Sequence, residues 1–274
     1  TLLLIHPFAS ADWQGFRGTL GNGKIEGKIS PDLNLTSSKS WNIALPGRGL
    51  SSPIIIDNLI LVTASSGPQQ SNLHILAYNV GNGVLAWERI FKATGRTICH
   101  SKTSVAASTM VSNGNVVVAQ FSSNDIFCLD LNGNLVWLRG LTFDYPNIAN
   151  GLGMSSSPVM AKGVLIAQVE NDADSFTFGL NIQNGTTLWK KTRPRGANWT
   201  SPIVLDQNSD RWIGLQSKEG LTFINPSNGN EIWSYHEGAS TIPSSVVAEN
   251  KMVLIPSNGL TAVKEPTLHS SPIQ

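Results

Sequence analysis

The chain has 274 residues, of which 41% are hydrophobic and 14% charged, with a formal net charge of +1. This near-neutral balance, without a basic or acidic block, argues against a partner held by counterion release, such as nucleic acid, or by an anionic membrane surface. No apolar run reaches the roughly 18 residues that a membrane-spanning helix needs.

Residues 1–11 read as the end of an export signal, because a short apolar run leads to the small residues Ala9-Ser10-Ala11. That pattern is typical of a cleavage site. The alternative is a buried first strand, against which His6 and Pro7 weigh.

Residues 12–50 are predicted to form an irregular lead-in that finishes in a lone outer strand beginning at Trp41. Within it, we expect Trp13 and Phe16 to pack on the fold and Arg17 to pair with an acidic group.

Four Asn-Gly pairs, each with a tryptophan five positions after the asparagine, organise the rest of the chain. The four are Asn82-Gly83 with Trp87, Asn132-Gly133 with Trp137, Asn184-Gly185 with Trp189, and Asn228-Gly229 with Trp233. An Asn-Gly pair between apolar runs predicts a two-residue type I′ hairpin. Counted from Trp41, the tryptophans lie 46, 50, 52 and 44 residues apart. A period of this size built from short strands is typical of propeller blades.

A second marker opens each repeat: Ser-Pro before an apolar run, at Ser52, Ser157 and Ser201. Ser104-Val105 and Ser244-Ser245 hold the same phase without proline. One repeat then contains four antiparallel strands, so an all-β propeller is predicted over residues 51–264. The predicted blades are 51–91, 104–140, 155–192, 199–236 and a partial fifth from 242. The tail, 265–274, then looks truncated and the ring incomplete; an unusually small ring is the alternative.

Cys99 and Cys128 are 29 residues apart and fit no zinc or thioredoxin spacing. If the protein is exported they can form one disulfide; otherwise two buried thiols are expected.

The repeat Ala-Tyr-Asn-x-x-Asn-Gly-x-Leu-x-Trp, seen at 77–87, resembles the repeat of pyrroloquinoline-quinone (PQQ)-like propellers of the quinoprotein alcohol dehydrogenase-like superfamily. The resemblance covers nearly all of residues 12–264 and extends to secreted propellers of planctomycete-type bacteria. It also includes the propeller lipoprotein of the outer-membrane barrel assembly machine. For the quinoprotein dehydrogenases it implies PQQ, an adjacent Cys-Cys disulfide, a stacking tryptophan and calcium. This chain has no Cys-Cys pair, so no cofactor is expected, with PQQ and calcium as the alternative.

The candidate site residues fall into two groups. Glu170, Asp172 and Asp174 offer oxygens for a calcium ion, although carboxylates in a hairpin are also commonly just solvated. A ligand or partner loop is predicted from four residues: His100, Arg193, Arg195 and Trp199.

Two of these interpretations stay open. The two arginines and Trp199 can bind an anion or a sugar, or they can form a stacked clasp between blades. His100 beside Cys99 fits either a nucleophile pair or a plain loop histidine. His6, His74, His236 and His269 show no zinc-hydrolase spacing, and there is no G-x-S-x-G motif.

These observations predict a non-catalytic, exported propeller of the bacterial cell envelope, in the periplasm, that binds a protein partner or a small ligand. The alternative is a PQQ-dependent periplasmic oxidoreductase acting on alcohols or sugars. A third hypothesis is carbohydrate binding by tryptophan and asparagine side chains.

Overall fold

The computed structural model describes residues 12–25, 41–148, 151–207, 210–248 and 251–264. The predicted export signal at 1–11 and the predicted tail at 265–274 lie outside the described residues.

The described residues form five antiparallel sheets, taken here as blades one to five. Blade one has strands β1 (Ile54–Ile56), β2 (Leu59–Ser66), β3 (Asn72–Asn79) and β4 (Leu85–Lys92). Blade two has β5 (Val111–Ser112), β6 (Val116–Gln120), β7 (Asp125–Asp130) and β8 (Leu135–Gly140). Blade three has β9 (Val159–Ala161), β10 (Val164–Val169), β11 (Phe176–Asn181) and β12 (Thr187–Thr192). Blade four has β13 (Ile203–Gln207), β14 (Asp210–Ser217), β15 (Gly220–Ile224) and β16 (Glu231–Tyr235). Blade five has β17 (Val246–Val247), β18 (Val253–Ser257) and β19 (Gly259–Val263).

Each sheet follows chain order from first to last strand, which confirms the predicted blade. Apolar side chains from neighbouring blades pack into shared clusters, for example Ile75 of blade one with Val117 of blade two. The helical elements given for the described residues are α1 (Leu141–Asp144) and a 3-10 turn (Pro68–Gln70). Within the described part of the chain, neither is long enough to cross a membrane.

The type I′ turn prediction is wrong. Type I′ needs a positive φ at both central residues, whereas at the first hairpin only Gly83 has one, at 69°. There the N–H of Gly83 donates to the carbonyl of Asn79, and Asn79 pairs with Val84 across a four-residue loop. Asn82 instead accepts the N–H of Val84 with its side chain at 3.0 Å. The asparagine therefore supplies an acceptor rather than a left-handed backbone.

The four repeat tryptophans from Trp41 to Trp189 each dock on the hairpin of the following blade. The Trp137 indole N–H donates to the Ile182 carbonyl at 2.7 Å, and its ring lies against Gly185, where an added Cβ would be 2.8 Å away. The same pairing recurs around the blades: Trp41 with Val80, Trp87 with Leu131, and Trp189 with Pro226. The tryptophans therefore join consecutive blades, and the glycines leave room for the rings.

Trp41 keeps this role although its strand does not form. Residues 41–45 have no strand assignment, yet Ile43 and Leu45 pack on Ala64 and Leu76 of blade one. The predicted lone outer strand is therefore an extended segment held by side-chain contacts.

A chain of hydroxyl groups joins the starts of the first strands. The N–H of Ser52 donates to Thr109, Thr109 to Ser157, and Ser157 to Ser201, at 3.0, 3.0 and 2.9 Å. The N–H of Ser201 completes the series on Ser244 at 2.9 Å. In blade two the repeat position is thus Thr109, and the prediction of Ser104 was wrong because the preceding loop is longer than assumed.

The lead-in segment, residues 12–25, lies along the first strands of the blades. Trp13 pairs with Ile55 of β1, and Gln14 accepts the N–H of Ser112 in β5. Arg17 donates to the carbonyl of Ser245 at 2.9 Å and stacks on the Phe16 ring. Its predicted partner, an acidic group, is thus replaced by a main-chain carbonyl, and partial burial lowers the pKa of Arg17.

The disulfide does not form; both cysteines are free thiols in the described structure. Cys128 points into the core between blades two and three, whereas Cys99 packs against the core between blades one and two. The two thiols therefore lie on opposite faces of blade two. Burial raises the pKa of Cys128 to about 12.

Candidate functional site

The connections between blades form one surface, which we call the loop rim: residues 93–103, 141–148, 151–154, 193–200 and 236–245. Each connection leaves the outermost strand of one blade and returns to the innermost strand of the next. Connecting loops on a rigid scaffold are common places for binding residues.

Three hydrogen bonds hold the rim together by linking its four inter-blade connections. The N–H of His100 donates to the Leu152 carbonyl at 3.0 Å. The Trp199 indole donates to the Gly153 carbonyl at 2.8 Å, and the Trp199 main-chain N–H donates to Thr241 at 2.8 Å. Two of the predicted loop residues, His100 and Trp199, are therefore linked through the 151–154 loop.

Large apolar side chains stand on this rim. Ile98 is 60% exposed, Leu152 47% and Ile242 70%. They lie next to the residues that make the three contacts above, so they belong to one connected group of loops. An exposed apolar group within a polar surface is typical of a protein interaction site.

Beneath the rim, Glu170 and Arg193 form a buried ion pair. The Arg193 Nε lies 2.8 Å from Glu170 Oε1, and the other carboxylate oxygen accepts from Asn198 Nδ2 at 2.7 Å. Arg193 Nη2 also reaches the carbonyls of Leu215 and Gln216. Burial raises the pKa of Glu170, while Arg193 and Asn198 oppose that effect.

This network bears on two predictions, the calcium site that includes Glu170 and the stacked arginine–tryptophan clasp. Both Glu170 oxygens are already bonded to Arg193 and Asn198, so neither points to a metal, and Asp172 and Asp174 are exposed. No His, Cys, Asp or Glu group suited to a metal occurs among the described residues. The Arg-Trp clasp does not form, because Arg193 is held by Glu170 while the Trp199 indole reaches Gly153.

The two arginines differ in position. Arg193 is buried, while Arg195 is exposed and lines a groove of about 280 Å³ with Tyr145, Asp174 and Lys190. The structure therefore places the sequence-predicted site residues in two parts of the rim: His100 and Trp199 are joined through the 151–154 loop, and the two arginines lie beside the groove.

The described residues do not fit a calcium–quinone site. Both carboxylates that are buried among the described residues are engaged, Glu170 in the ion pair and Asp125 in hydrogen bonds from Thr94. The two thiols cannot form a disulfide across blade two. The absence of PQQ stays a prediction, tested below.

Sequence reasoning missed Ile98, Leu152 and Ile242. Isolated apolar residues in loops carry no periodic signal, and only contacts between distant loops show that they share a surface. A partial signal was available, since each lies within two residues of a polar or small loop residue in an inter-blade connection.

A family described as "Outer membrane protein assembly factor BamB" matches residues 35–165 and 147–263, which is most of the chain. This chain belongs to that family. The match confirms the predicted relationship to PQQ-like repeat propellers.

Proteins named as BamB are similar to this chain over about three quarters of its length. The one from Alkalilimnicola ehrlichii is 24% identical over 211 residues, covering 76% of this chain and 49% of the relative. The one from Legionella pneumophila is 26% identical, covering 77% of this chain and 49% of the relative. The chain thus spans about half the length of these curated relatives.

Solved structures confirm the fold of this BamB-family chain. A quinohemoprotein alcohol dehydrogenase from Comamonas testosteroni superposes with a TM-score of 0.71 at 14% identity, covering 96% of this chain and 48% of that one. BamB from Moraxella catarrhalis gives a TM-score of 0.55 at 14% identity, covering 85% of this chain and 65% of that one. At such identities the likeness concerns the fold alone.

Proposed function

We propose that this chain is a protein-binding propeller of the bacterial cell envelope that takes part in outer-membrane protein assembly, with the loop rim as its binding surface. The names of its relatives support the assembly role. Export belongs to the same proposal, in line with the cleavage-site pattern at Ala9-Ser10-Ala11.

The observation that carries the rim assignment is the linked set of loops with exposed Ile98, Leu152 and Ile242. Apolar anchors at the centre of an interface supply most of its binding energy. Main-chain hydrogen bonds between the loops reduce the ordering cost of binding, since the surface is largely formed beforehand.

The test replaces one rim residue and a matched residue elsewhere in the full-length protein. Leu152→Asp puts a charge on the rim, whereas Leu138→Asp puts the same charge on outer strand β8; the two leucines are 47% and 48% exposed. Each variant is expressed in a host lacking the gene. Outer-membrane protein levels and co-purifying assembly proteins are then measured.

We expect Leu152→Asp to lower both readouts several-fold and Leu138→Asp to behave as the unmodified protein. Equal restoration by both variants would remove the rim from the proposal. Unchanged outer-membrane protein levels in the deletion strain would remove the assembly role itself.

A further inference from the structure

A serine, a histidine and a glutamate form a hydrogen-bonded series on one face of blade one. Ser66 Oγ lies 2.7 Å from His74 Nε2, and His74 Nδ1 lies 2.7 Å from Glu88 Oε1. Nucleophile, base and orienting carboxylate stand in this order in serine hydrolases, and the arrangement recurs on unrelated folds.

The sheet register explains why these three side chains meet. His74 in β3 lies opposite Ala64 in β2, and Ser66 is two residues beyond Ala64, so it shares that face. Leu76, two residues beyond His74, lies opposite Glu88 in β4. Three adjacent strands therefore present one side chain each to the same face.

The exposure of the side chains suits a serine hydrolase: the histidine is shielded from solvent, whereas the serine can be reached by a substrate. The His74 side chain is 5% exposed and Glu88 28%, while Ser66 is partly exposed. The carboxylate beside Nδ1 favours the tautomer with its proton on that nitrogen, which leaves Nε2 free to accept the Ser66 hydroxyl proton.

One hydrogen-bond donor for a developing oxyanion lies beside Ser66. Asn72 Nδ2 lies 3.4 Å from Ser66 Oγ, and the Asn72 oxygen accepts from the Lys92 ammonium, which fixes the orientation of the amide. The residue after the serine, Gly67, has a φ of 73°; a Cβ there would lie 2.6 Å from Asn72 Nδ2. Glycine thus keeps the amide donor close to the nucleophile, where donors stabilise the tetrahedral intermediate.

We propose that Ser66, His74 and Glu88 form a hydrolytic site for short-chain acyl esters. Ile90 lies opposite His74 across the β3–β4 pair, and its largely exposed side chain provides a small apolar wall for the acyl group. None of the three residues belongs to the loop rim, so this proposal does not depend on the binding function proposed above.

In the first step, Ser66 Oγ bonds to the ester carbonyl carbon as its proton passes to His74 Nε2. The bond from that carbon to the alcohol oxygen then breaks, and His74 returns the proton to the departing alcohol. Water attacks the acyl-serine, gives a proton to His74, and the carboxylic acid leaves as Ser66 recovers its proton. Water is the sole co-reactant, and Glu88 acts as a positioning residue through His74.

The test uses the full-length protein with p-nitrophenyl acetate and, separately, a fluorophosphonate label read by mass spectrometry. Ser66→Ala is expected to lower kcat/KM at least 100-fold, while Ser227→Ala, on the exposed hairpin of blade four, leaves it unchanged. Glu88→Gln is expected to lower kcat about 10- to 100-fold with KM unchanged, because His74 loses its orienting partner.

The label should add one mass equivalent, located on Ser66. Hydrolysis by the unmodified protein no faster than by Ser66→Ala, or a label absent from Ser66, would overturn the proposal and leave the series as a structural hydrogen-bond chain. The labelling result needs no variant, so it holds even where a substitution disturbs folding.

Discussion

At the scale of single residues, the docked tryptophan is the main link between blades. Each indole covers a glycine of the next hairpin and donates to a neighbouring carbonyl, as Trp137 does with Gly185 and Ile182. One side chain thus combines apolar burial with a satisfied polar group, as buried tryptophans generally require.

We predict that Trp137→Ala destabilises the protein by about 3–5 kcal/mol, because a large buried ring leaves a cavity. Trp41→Ala should cost less, since Trp41 is 38% exposed and Trp137 8% while both make the same indole bond. Urea unfolding monitored by circular dichroism measures the difference. Equal losses would show that the hydrogen bond, rather than ring burial, sets the contribution.

At the scale of the element, the hairpin of blade two depends on a glycine for two separate reasons. Gly133 has a φ of 80°, and an added Cβ would lie 2.7 Å from the Trp87 ring. Asp130 also supports this hairpin by accepting the N–H groups of Asn132 and Asn134, and a side-chain bond from Asn134 lowers the pKa of Asp130.

Gly114 allows the effect of a positive φ to be measured without the effect of a contact with a tryptophan ring. Its φ is 88°, and nothing lies within 4 Å of an added Cβ. We expect Gly114→Ala to cost about 1–2 kcal/mol from the left-handed backbone alone, and Gly133→Ala to cost more because the Trp87 ring must also move. Thermal unfolding of both variants tests this, and the ring-contact explanation fails if their losses match.

The sequence predicts the repeating parts of this molecule well. Strand order, the Trp137-type docking positions and the Ser201 marker all depend on short-range periodic patterns, and all appear in the structure. The Ser104 assignment was wrong because loop lengths are not periodic. The longer loop before blade two moves the repeat position from Ser104 to Thr109.

The candidate sites were harder to predict for a physical reason. His100 donates to Leu152 and Trp199 donates to Gly153, contacts between loops some 50 residues apart, which composition and spacing do not encode. The partner of Arg193 was likewise missed, although Glu170 had been singled out as a possible metal ligand. Glu170 follows β10 and Arg193 follows β12, with β11 between them, and an acidic residue in such a loop fits a buried ion pair as well as a metal site.

At the scale of the whole molecule, the fold is shared with quinone enzymes but the described donor groups are not suited to the quinone. We predict that PQQ, with or without calcium, leaves the thermal midpoint of the full-length protein unchanged. A ligand that binds only the folded state at a hundredfold excess over Kd would add about 2.7 kcal/mol. A saturable, calcium-dependent rise would contradict this prediction and support the oxidoreductase alternative.

The contact between Arg17 and the Ser245 carbonyl joins positions 228 residues apart. During synthesis, the segment that carries Arg17 must therefore wait for the four blades that follow it before this partner exists. Closing so long a segment is entropically costly and slows folding. The guanidinium of Arg17 thus acts as a latch that can close only after blades one to four have been synthesised.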